Sequence, residues 1–135
     1  MYSTMILVFL GGAFGAMVRE FIMLLIPSMH NGFPLDILVA NVIAAFLLGL
    51  ATAHHRLQNL SDDVILLFGT GALGGMSTFS SFAYGVAHES MQPGGMLVSL
   101  CYVIISLVLG FIAVWLGLTM ANRLSNSKQP PNSPQ

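Results

Sequence analysis

Charge is what this chain has least of. Its 135 residues include four Lys or Arg and five Asp or Glu, 7% charged in all, against roughly 25% in ordinary soluble domains. So few charges cannot cover the surface of a water-soluble globule of this length. The net charge of −1 also excludes nucleic acid as a partner, because binding phosphates needs a basic face. The single cysteine, Cys101, rules out an intrachain disulfide. It lies in an apolar segment and reads as a small packing residue. The first residues lack the basic region and small-residue cleavage site of a signal peptide, so the first apolar segment is expected to be retained.

Reactive groupings are scarce too. No acidic pair lies inside an apolar run, so a proton relay or a cation ring has no obvious candidate. His30, His54, His55 and His88 fall at segment ends, without a His or Cys at metal-ligand spacing within a helix. His54-His55 reads as a solvated interfacial pair. No nucleophile with an adjacent base and no phosphate-cradling loop is present. The short connections leave no space for a catalytic domain, so the chain does not read as an enzyme.

What is abundant is apolar sequence, 56% of the chain. Four runs stand out: Ser3 to Ile26, stopped by Pro27; Leu35 to Ala53, between Pro34 and His54-His55-Arg56; Val64 to Ala87, entered through Ser61-Asp62-Asp63; and Gly95 to Asn122. Each reaches the ~20 residues that a helix needs to cross a bilayer core. The expected fold class is an all-α membrane protein with four transmembrane helices. Ser61 is placed to cap the third helix, and the two acids after it suit the positive end of its dipole. From Ser125 the chain is polar and proline-rich, which predicts disorder. The organisation is therefore a transmembrane domain over 1–124 and a tail over 125–135. Both termini fall on one side with Arg56, Arg123 and Lys128, against Arg19 toward the other. That bias favours cytoplasmic termini, and charges this few leave mixed insertion open.

The third run contains Gly74-Gly-Met-Ser-Thr-Phe-Ser-Ser-Phe82. A paired glycine followed by four hydroxyls in five positions is a poor lipid-facing helix and predicts a break in the third helix near Gly74–Thr78. Membranes tolerate broken helices only where they are buried in protein or line a water-filled cavity, and in transporters such breaks mark ion or substrate sites. The chain therefore reads as one that moves something across a membrane. Four helices enclose little space, so transport points to a homo-oligomer. Gly11-x-x-x-Gly15, Gly12-x-x-x-Ala16 and Gly71-x-x-x-Gly75 offer close helix contacts, within a subunit or between subunits.

Polar residues inside the runs carry the rest of the functional argument. Arg19 is costly in a membrane and by default a functional candidate. It can also pair with Glu20 or snorkel to the interface. Asn41 offers two N–H donors and one acceptor, for a ligand or for an interhelical bond. Phe79 and Phe82 sit about 60° apart on a helix, with Ser77, Ser80 and Ser81 nearby. They pack, or they turn electropositive ring edges toward an anion. Ser99, Tyr102 and Ser106 form one hydroxyl stripe on the fourth helix, continued by the small strip Gly110, Val114 and Gly117.

Gly11-Gly-Ala-Phe-Gly-Ala-Met-Val-Arg19, Asn41 and the Gly74–Phe82 segment together resemble the three signatures of the CrcB/Fluc fluoride channels. The resemblance covers the chain up to the tail. It implies a fluoride-selective channel of the bacterial cytoplasmic membrane, exporting fluoride passively to relieve its toxicity. It also implies an antiparallel, dual-topology homodimer with a structural sodium ion that is not transported. Carried onto this sequence, Asn41, Phe79, Phe82 and Ser80 would line the fluoride path and Tyr102 and Ser106 would form a hydroxyl track. Backbone carbonyls of Gly74 and Ser77 would hold the sodium, and Arg19 would stand in the vestibule. Partners would be a second copy of the chain, fluoride and membrane lipid. The chain departs from the pattern at Glu20, Asp36-Ile37, Ala44, Ser77 and Ser81 (each a serine where the family has threonine), and Gly110. The rival reading is a small dual-topology proton-coupled drug exporter, for which Glu20 is the one candidate carboxylate. A non-transporting assembly subunit would need none of these residues.

Overall fold

A computed structural model describes residues 2–26, 33–58 and 61–126. The elements are α1 (Tyr2–Leu25), α2 (Leu35–Gln58), α3 (Asp62–Ile65), a π-helix π1 (Leu66–Leu73), α4 (Gly74–Met76), α5 (Phe79–Ser90) and α6 (Gly95–Asn126). Four helical segments are long and apolar enough to span a membrane: Thr4–Leu25, Leu35–His55, Asp62–Ser90 and Gly95–Leu124. The chain is thus an all-α, multi-pass membrane protein. The expected stop at Pro27, His30, Lys128 and nearly all of the tail fall outside the described residues.

Helix ends differ from the sequence expectation in instructive ways. α2 continues to Gln58 and α6 to Asn126, because polar residues can extend a helix past the hydrocarbon boundary at little cost. Ser61 holds the N-cap position of α3, but its side chain makes no capping bond. Its carbonyl instead accepts from the amides of Val64 and Ile65 at 3.0 and 3.3 Å. Asp62 and Asp63 occupy the first turn, where negative charge suits the dipole. The sequence did not foretell π1. Its Leu-Leu-Phe-Gly-Thr-Gly-Ala-Leu sets two glycines and an alanine in the widened turns, and such π segments recur at functional sites.

Glycines decide which helices pair. A Cβ on Gly11 would meet the Leu67 carbonyl, one on Gly15 the Ala72 carbonyl, and one on Gly75 the Gly12 carbonyl. The Gly11 and Gly71 spacings therefore seat α1 against π1 and α4 within one subunit. The same device, missed in the sequence, joins the other pair: Gly49 lies against the Val114 carbonyl and Gly117 against the Phe46 carbonyl. Backbones this close gain dispersion contact and weak Cα–H···O bonds. Between these pairs lies a small core that includes Ile37, Leu38, Ala40, Ala44 and Tyr102. The turn into α6 uses Gly94 at φ 77°, a left-handed conformation that glycine adopts without penalty.

The subunit leaves most of itself uncovered. Even the best-covered span, Leu35–His55, has only 28% of its apolar window buried. Cys101 is exposed and not the packing residue its apolar surroundings implied.

Candidate ion pathway

The third span breaks at Ser77 and Thr78, whose backbones are extended at φ −77°, ψ 138° and φ −139°, ψ 113°. Two side chains occupy the break. The Thr78 amide donates to Asn41 Oδ1 of α2 at 2.9 Å. Thr78 Oγ1 in turn accepts from the Ser81 amide at 3.1 Å, as an N-cap for α5. Its hydroxyl also lies 3.0 Å from Ser80 Oγ and donates to Ser81 Oγ at 3.2 Å. In a continuous α-helix the Thr78 amide would serve the Gly74 carbonyl, and the Ser81 amide the Ser77 carbonyl. Both amides are engaged elsewhere, so Gly74 and Ser77 keep carbonyl oxygens without their helical donors. Asn41 thus makes the interhelical bond that its position allowed, to a backbone amide. Thr78 was not singled out in the sequence, although a hydroxyl directly after a helix break is a capping signal.

Gly74, Ser77 and Ser80 lie on the exposed surface of the subunit, and nothing stands within 4 Å of a Cβ built on Gly74. No group of three or more His, Cys, Asp or Glu that could hold a metal occurs among the described residues. Backbone carbonyls and the hydroxyls of Ser77, Thr78 and Ser80 are the oxygens present at the break.

Phe79, Phe82 and Tyr102 form a row of rings. Phe79 and Phe82 have centroids 6.0 Å apart at 38°, and Phe82 and Tyr102 5.3 Å apart at 34°. Phe33 meets Tyr102 edge-on at 5.5 Å and 90°. Phe79 is 80% exposed, so it does not pack inside its own subunit. Gly85 packs beside the row, where an added Cβ would be in ordinary contact with the Tyr102 ring at 3.5 Å and tight against Pro34 at 3.2 Å.

The hydroxyl stripe on α6 divides. Ser99 Oγ donates to the Val86 carbonyl of α5 at 2.7 Å, which makes it a packing bond and removes it from the stripe. Tyr102 OH and Ser106 Oγ are buried, near enough to interact with each other and without a hydrogen bond to any other group of the subunit. Two buried hydroxyls one turn apart, served by nothing but each other, make a short polar track along an otherwise apolar helix face. Gly110 follows with open space beside it, so the described track ends at Ser106.

Arg19 faces the break. Its Nη1 reaches the Gly75 carbonyl at 3.5 Å, while Nη2 donates to Glu20 Oε1 at 3.0 Å. Of the roles open to it, the pair with Glu20 is made, together with a contact to the break that the sequence did not suggest. Glu20, the carboxylate that a proton-coupled exporter would need, is held in this pair.

The chain is similar over most of its length to known proteins. The family model described as CrcB-like protein, Camphor Resistance (CrcB), matches residues 6–118. A protein of Yersinia pseudotuberculosis named fluoride-specific ion channel FluC 3 is 52% identical over 135 residues, covering 100% of this chain and 97% of that one. The fluoride-specific ion channel FluC 1 of Brucella abortus is 49% identical over 97% of this chain and 50% of its own length. The fluoride-specific ion channel FluC of Prosthecochloris aestuarii is 33% identical over 89% of this chain and 94% of its own. With a family match that runs through all four spans and a relative similar from end to end, this chain belongs to the CrcB-like family.

Proposed function

We propose that this chain is a fluoride-selective channel that lets fluoride leave the cell passively across the cytoplasmic membrane and so relieves its toxicity. The observation that carries the reading is the pair of buried hydroxyls at Tyr102 and Ser106, which bond to no third group of the subunit, next to the ring row that leads to Phe79. Fluoride is small and strongly hydrated, so a path must replace its water shell with donors. Tyr102, Ser106 and the Asn41 amide supply O–H and N–H groups, and Phe79 and Phe82 supply electropositive ring edges. None of these groups carries fixed charge, so the ion is neither trapped nor held by a counterion. The names of the similar proteins above support the same ion.

We further propose that the working unit is a homodimer of oppositely inserted copies. Polar backbone turned toward hydrocarbon costs several kcal/mol per group, and the face bearing Gly74, Ser77 and Ser80 is exposed on one subunit. A second copy covers it. The freed carbonyls of Gly74 and Ser77 would hold a sodium ion between the copies, since a hard cation takes oxygen ligands. Bound there, it supplies positive charge that satisfies those oxygens and need not move.

Fluoride and chloride efflux from liposomes containing the purified protein tests the function. Fluoride should leave and chloride stay. Comparable chloride flux would overturn the selectivity, and no fluoride flux would overturn the function.

A further inference from the structure

We infer that Glu20 sets the charge that Arg19 presents to the ion path, and so holds fluoride flux below what the arginine alone would support. This rests on the channel reading above. Arg19 divides its guanidinium between Glu20 Oε1 at 3.0 Å and the Gly75 carbonyl at 3.5 Å, and its Nε is buried without a partner. The side chains are 22% and 60% exposed. The cation is thus drawn back against the helix break, and the carboxylate is the outward half of the pair. A lone guanidinium at this place would raise the local concentration of anions. With a carboxylate in contact the net charge is zero, and the field falls off as that of a dipole. Arg19–Glu20 is the one ion pair among the described residues, so the guanidinium is matched by this carboxylate alone. Glu20 therefore acts through Arg19, as a positioning residue for charge, and touches no fluoride itself.

The experiment is fluoride efflux from liposomes at low and high ionic strength, with potassium sulfate as the added salt. E20Q keeps the shape and an acceptor oxygen while removing the charge. Its flux should rise about fivefold over wild type at low salt, the effect of one unscreened charge near 4 Å in water, and the gain should shrink as the Debye length falls below ~10 Å. E20D, which keeps the charge, should stay near wild type. The double variant R19Q/E20Q should show no gain over R19Q. Unchanged or lower E20Q flux from an intact oligomer would overturn the inference, as would a gain that salt does not reduce. Loss of the folded oligomer in both E20Q and E20A would likewise overturn it, by making Glu20 a structural residue. A wild-type protein that carries no fluoride would instead overturn the channel reading.

Discussion

Asn41 and Thr78 are joined by a hydrogen bond of 2.9 Å from the Thr78 amide to the Asn41 side-chain oxygen, so the second half of the broken span starts on a side chain from another helix. This bond does two things at once. It stops the third span from closing into a continuous helix, and it turns the remaining N–H groups of Asn41 into fixed donors beside the break.

Asn41→Ala should therefore affect structure and transport together. Losing the acceptor costs about 1–2 kcal/mol, as for other cap removals, read as a lower thermal midpoint in detergent, and fluoride flux should collapse. Asn41→Asp retains an acceptor for Thr78 but replaces the amide donors with negative charge. It should keep the thermal midpoint near wild type while still abolishing flux. Equal loss of stability in both variants would show that the amide nitrogen is structural.

Phe79→Ile and Phe82→Ile keep apolar bulk and remove the ring edge. Aromatic edge contacts are worth about 0.5–1.5 kcal/mol, so each change should lower flux roughly two- to tenfold. Phe79 is exposed on its subunit, so its replacement should leave the fold intact. Phe82→Ile also removes the ring contact to Tyr102 and should cost some stability. Wild-type flux in both would return the rings to plain packing.

Tyr102→Phe and Ser106→Ala test the hydroxyls. Each deletes a buried hydroxyl that bonds to no third group of the subunit, so stability should change by no more than about 1 kcal/mol, the net worth of one hydrogen bond. Flux should fall roughly two- to tenfold, the worth of one hydrogen bond to the passing ion. A destabilised protein with normal flux would assign these groups a structural partner.

Glycine substitutions should separate the subunit from its assembly. Gly15→Ala and Gly49→Ala put a methyl into the carbonyls of Ala72 and Val114 and should destabilise the folded chain by about 1–3 kcal/mol. Gly74→Ala meets nothing within the subunit. It should leave helicity unchanged and weaken the proposed dimer, seen as a shift toward monomer in size-exclusion chromatography, with greater sensitivity to removal of the proposed sodium. A Gly74→Ala protein that stays dimeric would place the interface elsewhere.

Insertion in both directions is testable at the tail. Ser133→Cys, modified by a membrane-impermeant thiol reagent in intact cells and in inverted vesicles, should react in both, with exposed Cys101 first replaced by Ser. Reaction from the cytoplasmic side alone would exclude oppositely inserted copies and with them a sodium site shared between them.

Number, order and approximate length of the spans were legible in the sequence, because the hydrophobic effect acts on composition over ~20 residues and needs no partner. The break was legible for a related reason: Gly74-Gly75 and the hydroxyls after them weaken a lipid-facing helix whatever surrounds it. Arg19, Asn41, Phe79, Phe82, Tyr102 and Ser106 stood out because polar or paired aromatic residues inside apolar runs are conspicuous. Their partners did not. That Thr78 rather than Ser61 makes a side-chain cap, that Ser99 bonds across to Val86 while Tyr102 and Ser106 bond to no third group, and that Gly49 meets the Val114 backbone are decided by which helices lie side by side. Sequence spacing specifies the face of one helix; only packing specifies what that face meets. The π1 turns and the diversion of two amides from Gly74 and Ser77 belong to the same class, because a backbone donor changes acceptor only when tertiary structure brings it a better one.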